Sequence, residues 1–240
     1  MNLSQRAALG AQLNNVLALL EAHFGLQNWW ASADSFEVIA GALLVQHTAW
    51  TGASKAVGNL QAAGVLSIDG ILGLDAPVLF DLVRPSGAYR QKAAKLRAFA
   101  AHVRSDHDDD IAAMLRCPTD HLRNELLSIW GVGDETADTI MLYAAHRPCF
   151  VLDTYTQRTL ERLGVIQPDT RSDELRVLLQ DELSANAQQL AEYHALFVQL
   201  GKVYCGKKAD CDHCPLLLVC RYGSRGYQCV PTHSSRPSRG

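Results

Sequence analysis

Apolar residues along this chain recur mainly at three- and four-residue intervals, the period of a helix face. Leu9, Leu13, Val16, Leu17, Leu20 and Phe24 follow it and predict an amphipathic helix over residues 3–24, docked on a core. The same reading predicts helices near residues 34–46, 52–63, 75–84, 88–104, 119–129, 134–145, 154–163, 172–184 and 187–204. Several open on a residue able to cap free amides: Asp34 or Ser35, Asp75, Thr119 and Asp153. Strand-like alternation is scarce, and "PCFVLD" (Pro148–Asp153) is the only short β-flavoured run. The expectation is an all-α chain with short loops. "RSDHDDD" (Arg104–Asp110) reads as a charged, solvated linker, and "THSSRPSRG" (Thr232–Gly240) as a disordered end. No internal repeat is visible.

Composition narrows the picture. With 240 residues and 48% hydrophobic content, the chain can bury the core of one large or two small globular domains. It has no apolar run of 18 residues, so no membrane span is expected. The first residues lack the compact apolar block and cleavage site of a signal peptide, which leads to an expected cytoplasmic location. Net charge is −3, but it is unevenly spread. Residues 201–240 hold seven Lys and Arg against two Asp, a net +5, leaving −8 for the first 200 residues. A basic end on an acidic body is compatible with an anionic partner and equally with a solvated tail.

Seven cysteines change the picture more. Four lie within "CGKKADCDHCPLLLVC": Cys205, Cys211, Cys214 and Cys220, spaced C-x5-C-x2-C-x5-C. Clustered thiols in a cytosolic chain point to a metal site more than to disulfides. Four thiolates suit an iron–sulfur cluster or a structural zinc, and the absence of a second C-x2-C knuckle favours iron–sulfur. His213 inside the loop reads as a bystander, Cys149 as a small buried hydrophobe, and Cys117 and Cys229 have no visible partner.

In "IWGVGDETAD" (Ile129–Asp138) two glycines flank a valine and a helix follows at once. Gly131 and Gly133 permit positive φ and leave amides uncovered around Val132, and the next helix adds its free N–H groups and dipole. Such a turn can hold a phosphate oxygen through backbone donors alone, so the acids Asp134 and Glu135 need not oppose it. Helix, G-V-G turn, helix is the shape of a helix-hairpin-helix motif.

Three features now stand in order: the hairpin, an Asp after an apolar run in "FVLDTYTQR", and the four-cysteine loop. Together they resemble the endonuclease III superfamily of helix-hairpin-helix DNA glycosylases, over roughly residues 28–220. The nearest resemblance is to its 3-methyladenine DNA glycosylase III branch, carried by "GDETAD", "QHTAW" (Gln46–Trp50) and "RPSGAYRQKA" (Arg84–Ala93). Ala88 and Ala31 depart from that branch's pattern. The cysteine spacing is one residue shorter than usual for the superfamily, and some branch members lack a cluster.

The resemblance implies a two-domain helical fold, with residues 31–147 forming a six-helix domain. Residues 1–30 plus 148–220 would form the cluster domain, and 221–240 a basic flexible tail. It implies Asp153 as the catalytic carboxylate and Trp29, Trp30 and Trp50 as the base pocket, with Glu135 at its mouth. Gln46 would fill the gap left by a flipped nucleotide. Gly131, Val132, Gly133, Lys207 and Lys208 would touch double-stranded DNA. Cys205, Cys211, Cys214 and Cys220 would ligate a [4Fe-4S] cluster. Bifunctional members carry a lysine where Glu135 stands, so the resemblance implies a monofunctional enzyme acting as a monomer. Its lesions would be alkylated purines, with oxidised pyrimidines or damage binding without catalysis as alternatives. Lys92, Lys95 and Arg97 share one predicted helix and read as a solvated face.

Overall fold

The structure, a computed structural model, describes residues 3–30, 33–167, 170 and 172–224; Ala31, Cys229 and the tail from residue 225 lie outside them. The helices are α1 (Leu3–Phe24), α2 (Ser35–Leu44), α3 (Trp50–Ala62), α4 (Ile68–Gly73), α5 (Ala76–Val83), α6 (Tyr89–His107) and α7 (Ile111–Arg116). They continue as α8 (Thr119–Ser128), α9 (Asp134–Tyr143), α10 (Thr154–Leu163), α11 (Ser172–Leu183), α12 (Ala187–Val203) and α13 (Arg221–Ser224). Among the described residues there is no strand. Pro148–Asp153 is an irregular segment whose Cys149, Phe150, Val151 and Leu152 are buried. It is apolar because it crosses the core, and no second strand lies beside it to form a ladder.

Helix α2 is apolar on every face and therefore central. Val38, Ile39, Ala40, Leu43 and Leu44 are almost wholly buried, and the helix packs on α3, α6, α7 and α9. Its start is capped as expected, with the Glu37 amide donating to Asp34 Oδ1 at 2.8 Å. Helix α1 joins the far end of the chain: Leu13, Val16, Leu17 and Leu20 are buried, and it lies against α11 and α12. Helix α12 in turn packs on α9 and α10, and α10 on α13.

Helices α4 and α7 were not foreseen. At six residues each they are too short to show a period. Each nonetheless has its cap: Ser67 Oγ accepts from the Gly70 amide at 3.0 Å, and Asp110 Oδ1 from the Ala113 amide at 2.8 Å. The supposed linker Arg104–Asp110 is half helix, because α6 runs on to His107 and ends where Asp108 turns left-handed at φ 50°. Arg104 there bonds Asp109 at 3.1 Å and also pairs with Asp69.

The face of Lys92, Lys95 and Arg97 is likewise not solvated. The Lys92 ammonium is buried and donates to Leu44 O at 2.7 Å and to Ser86 O, closing the end of α2 onto the 3-10 turn Arg84–Ser86. Burial, and next the charge of Lys95, push it down to about 8. Arg97 donates to Leu74 O at 2.8 Å and Leu72 O at 3.2 Å, and Lys95 to Gln46 Oε1. Free carbonyls at helix ends need donors when buried, and these cations supply them. Gly52 lets α3 approach the same turn, since a Cβ there would lie 2.5 Å from Pro85 O.

Helices α8 and α9 are clamped by a charge pair. Arg123 Nε donates to Asp138 Oδ1 at 2.9 Å, and its Nη2 to Asp134 Oδ1 at 2.9 Å. The Asp138 side chain is only 4% exposed and also faces Arg176 at 3.7 Å, whereas Asp134 is 68% exposed. Removing one partner of a buried pair strands the other charge. Arg123→Ala is therefore expected to cost on the order of 3 kcal/mol of unfolding free energy in urea titrations. Asp134→Ala should cost less than about 1 kcal/mol; equal losses would show that burial is not what gives the clamp its strength.

Candidate active site

Gly131, Val132 and Gly133 join α8 to α9. Gly131 has φ +90°, and a Cβ there would meet Lys95 Cγ at 2.5 Å, so both conformation and space require glycine. Gly133 does not share that freedom: it is extended (φ −105°, ψ 179°) and serves as the N-cap of α9, in open surroundings that leave the first-turn amides approachable. Val132 is buried and anchors the turn, while Trp130 beside it is 60% exposed. That exposed tryptophan escaped the sequence reading; its signal was a large apolar residue inside a polar turn. Asp134 is spent on Arg123.

Gln46 is bound tightly to this turn. Its Nε2 donates to Gly131 O at 3.0 Å and Thr136 Oγ1 at 2.9 Å, and its Oε1 accepts from Lys95. In this conformation it braces the hairpin.

Asp153 caps α10, accepting from the Thr156 amide at 2.7 Å through Oδ1. Its other oxygen lies 3.8 Å from His194 Nε2, and the residue is 7% exposed. Burial alone would raise this carboxyl, but the nearby His194 imidazole and the Thr156 amide outweigh it and hold it below the usual aspartate range. His194, on α12, is set by Tyr143. The phenol donates to Ala191 O at 3.0 Å and lies 2.8 Å from His194 Nδ1, so Nδ1 is the imidazole's donor. Nε2, buried without a hydrogen bond, is left facing Asp153. Burial, then Glu192 and Asp153, keep the phenol of Tyr143 protonated. Glu135 is exposed at the start of α9, and burial of its carboxylate and then the charge of Asp153 raise it above the ordinary glutamate range. Asp153, His194 and Tyr143 form one wall of the candidate cleft.

The three tryptophans meet at this cleft. Trp29 stands edge-on to His194 with centroids 5.9 Å apart, and Trp30 lies 4.9 Å from Trp50 and 6.2 Å from Tyr143. Gly41 makes room for them: a Cβ there would sit 2.2 Å from Trp30 Cη2 and 3.3 Å from Trp50 Cη2. The turn carrying Trp29 and Trp30 is held by Glu192, which accepts the Gln27 amide at 2.7 Å and the Asn28 amide at 2.8 Å. Lys202, also on α12, places Nζ 5.3 Å from the Trp29 ring centroid. Burial lowers its ammonium, and the charge of Asp153 opposes that. His194, Glu192 and Lys202 on α12 and Tyr143 on α9 carried no motif of their own, since only the packing of α12 on α9 and α10 brings them together.

The four thiols line a small pocket partly open to solvent, lined also by Arg162, Tyr204, Leu217 and Tyr222. All are free. Arg162 Nη1 donates to Cys205 Sγ at 3.3 Å and Gly206 O at 2.7 Å, Arg158 Nε to Cys205 O at 2.7 Å, and Cys220 Sγ to Arg162 O at 3.4 Å. Burial and, more weakly, the neighbouring cysteines push the Cys214 thiol up to about 11. Lys207 and Lys208 are exposed on the loop, and His213 pairs only with Asp210, at 3.0 Å. Arg221–Ser224 extends the folded chain past residue 220, with Arg162 stacked 4.9 Å over Tyr222. Cys149 is buried and inert, pushed up to about 12 by burial and Asp138.

This arrangement has known relatives. The family described as "HhH-GPD superfamily base excision DNA repair protein" matches residues 40–184. "Putative DNA repair glycosylase MJ1434" of Methanocaldococcus jannaschii is 39% identical over 206 residues, covering 85% of this chain and 94% of its own. A crystal structure of H. pylori 3-methyladenine DNA glycosylase (MagIII) bound to 1,N6-ethenoadenine is 26% identical, with a TM-score of 0.68 over 82% of this chain and 97% of that one. A non-covalent endonuclease III–DNA complex shares the fold, with a TM-score of 0.76, 22% identity, and coverage of 90% and 97%. A glycine hairpin, a capping aspartate in an aromatic cleft and a fold common to these structures agree with the matched segment, and the chain belongs to the HhH-GPD superfamily of base excision DNA repair proteins.

Proposed function

We propose that the protein is a monofunctional DNA N-glycosylase that hydrolyses the N-glycosidic bond of alkylated purines, chiefly 3-methyladenine, and works as a monomer. The damaged nucleotide would be flipped into the cleft between a domain of residues 31–147 and one of residues 1–30 plus 148–220. The observation that carries this reading is Asp153: a buried carboxylate kept ionised by His194 and Thr156 beside three tryptophans. Departure of the base leaves positive charge on the sugar, which a fixed carboxylate stabilises. Asp153 Oδ2 and His194 Nε2, 3.8 Å apart, can share one water; the aspartate orients it toward C1′ and takes up its proton. An N3-alkylated purine such as 3-methyladenine is cationic in the nucleotide and leaves without a strong general acid, which suits the exposed face of Trp50. The likeness to the MagIII complex with ethenoadenine supports an alkylated purine.

Backbone amides of Gly131 to Gly133 and the start of α9 would hold a phosphate, with Lys207 and Lys208 contributing charge and Gln46 at the flipping gap. Cys205, Cys211, Cys214 and Cys220 would hold a [4Fe-4S] cluster whose chemistry here is to cross-link the loop.

Purified protein incubated with methylated duplex DNA should release 3-methyladenine and leave strands that break only after alkali. Asp153→Asn removes the charge yet keeps a good N-cap, so folding and DNA binding should persist while base release falls at least about 100-fold. An unchanged rate in that variant rules out the catalytic assignment.

A second reading, an endonuclease III-like enzyme for oxidised pyrimidines that also cuts the strand, draws on Lys202, whose lowered ammonium lies near Asp153. Its amine would attack C1′, expel the base and form an imine. Borohydride should then trap a covalent adduct that Lys202→Gln abolishes; absence of any trapped adduct leaves hydrolysis.

The cluster assignment predicts four irons and four sulfides per chain in anaerobically purified protein, and loss of both in Cys214→Ser. Stoichiometric zinc without sulfide would refute it.

A further inference from the structure

Outside the cleft and the thiol loop, a second group of metal-ligating side chains converges where α6 ends and α8 begins. His102 Nε2 lies 2.8 Å from Glu125 Oε1, and His107 Nε2 2.5 Å from the same oxygen. The three ligand atoms all fall within 4.8 Å of one another. Cys117 Sγ and His121 Nε2 form a second triad with Glu125 under the same limit. The Glu125 side chain is only 10% exposed, and its Oε2 is buried without a hydrogen bond. A buried carboxylate with an unsatisfied oxygen costs free energy unless something pairs with it. The sequence hides this group, because its members come from α6, the end of α7 and α8.

We propose that His102, His107 and Glu125 bind a divalent zinc-class cation, with Cys117 and His121 adjacent to its remaining coordination position. Two imidazoles aimed at one carboxylate oxygen are the donor set of such an ion and not of magnesium or calcium, which take oxygens. The outer partner is present too: His102 Nδ1 faces Asp106 Oδ2 at 3.6 Å, which orients the ring and leaves Nε2 toward the site. The ion pins α8, the first helix of the hairpin, to α6. Its role is structural: it fixes the element that presents Gly131 to Gly133.

Equilibrium dialysis of the purified protein against zinc, followed by metal analysis and thermal unfolding, tests this. Wild type is expected to take up one chelator-removable zinc per chain and to melt at a higher temperature with it. His107→Gln, unchanged in helical circular dichroism, should bind zinc at least about 10-fold more weakly, and Cys214→Ser should still bind it. Asp106→Asn, an exposed change that leaves folding intact, should weaken zinc about 10-fold and serves if His107→Gln does not fold. No uptake by wild type overturns the proposal. So does uptake unaltered in both His107→Gln and Asp106→Asn, or abolished only in Cys214→Ser.

Discussion

A carboxylate that must be both buried and charged sets the terms for the cleft. Taking Asp153 out of water favours its protonated form, and only directed partners reverse that preference. One is the Thr156 amide at the start of α10, so the helix end both caps and polarises the acid. The other is His194, whose orientation depends on Tyr143, whose phenol depends in turn on Ala191 O. The same helix α12 supplies Ala191, Glu192, His194 and Lys202. Docking α12 against α9 and α10 therefore fixes the charge state of the cleft, the turn of Trp29 and Trp30, and the cation over Trp29 together.

The hairpin solves a different problem. A turn meant to present amides to an anion carries two acids, and each is kept from opposing it. Asp134 is neutralised by Arg123, which also reaches the buried Asp138 and so locks α8 to α9. Glu135 belongs electrostatically to Asp153 and the cleft. Lys95 and Gln46 pack under Gly131, leaving the outer side of the turn to backbone donors. Cations on α6 that looked like a DNA-facing or solvated stripe are consumed inside, closing helix ends that burial would otherwise leave unsatisfied.

Two groups of soft or borderline side chains lie at separate places in the fold. The thiol loop is drawn to α10 by Arg158 and Arg162, so a group bound there stiffens the support of Asp153. The His102–His107–Glu125 group sits behind the other partner of the cleft, the hairpin. Each uses long-range contacts in place of a larger core.

Helical class, most helix positions, the hairpin, the capping aspartate and the grouping of four cysteines in one loop were legible along the chain, because each depends on local period or spacing. Ser67 and Asp110 marked α4 and α7, but six residues cannot display a period. Pro148–Asp153 looked like a strand because a buried irregular segment and a strand share apolar content; only the absence of a partner separates them. Gly133 looked like Gly131 in sequence, and their different φ values follow from one being the cap of α9. His194, Lys202, Glu192 and Glu125 were beyond reach of any local pattern. Their roles come from groups 23 to 165 positions away in the chain, and which of many polar residues meet there is decided by helix packing.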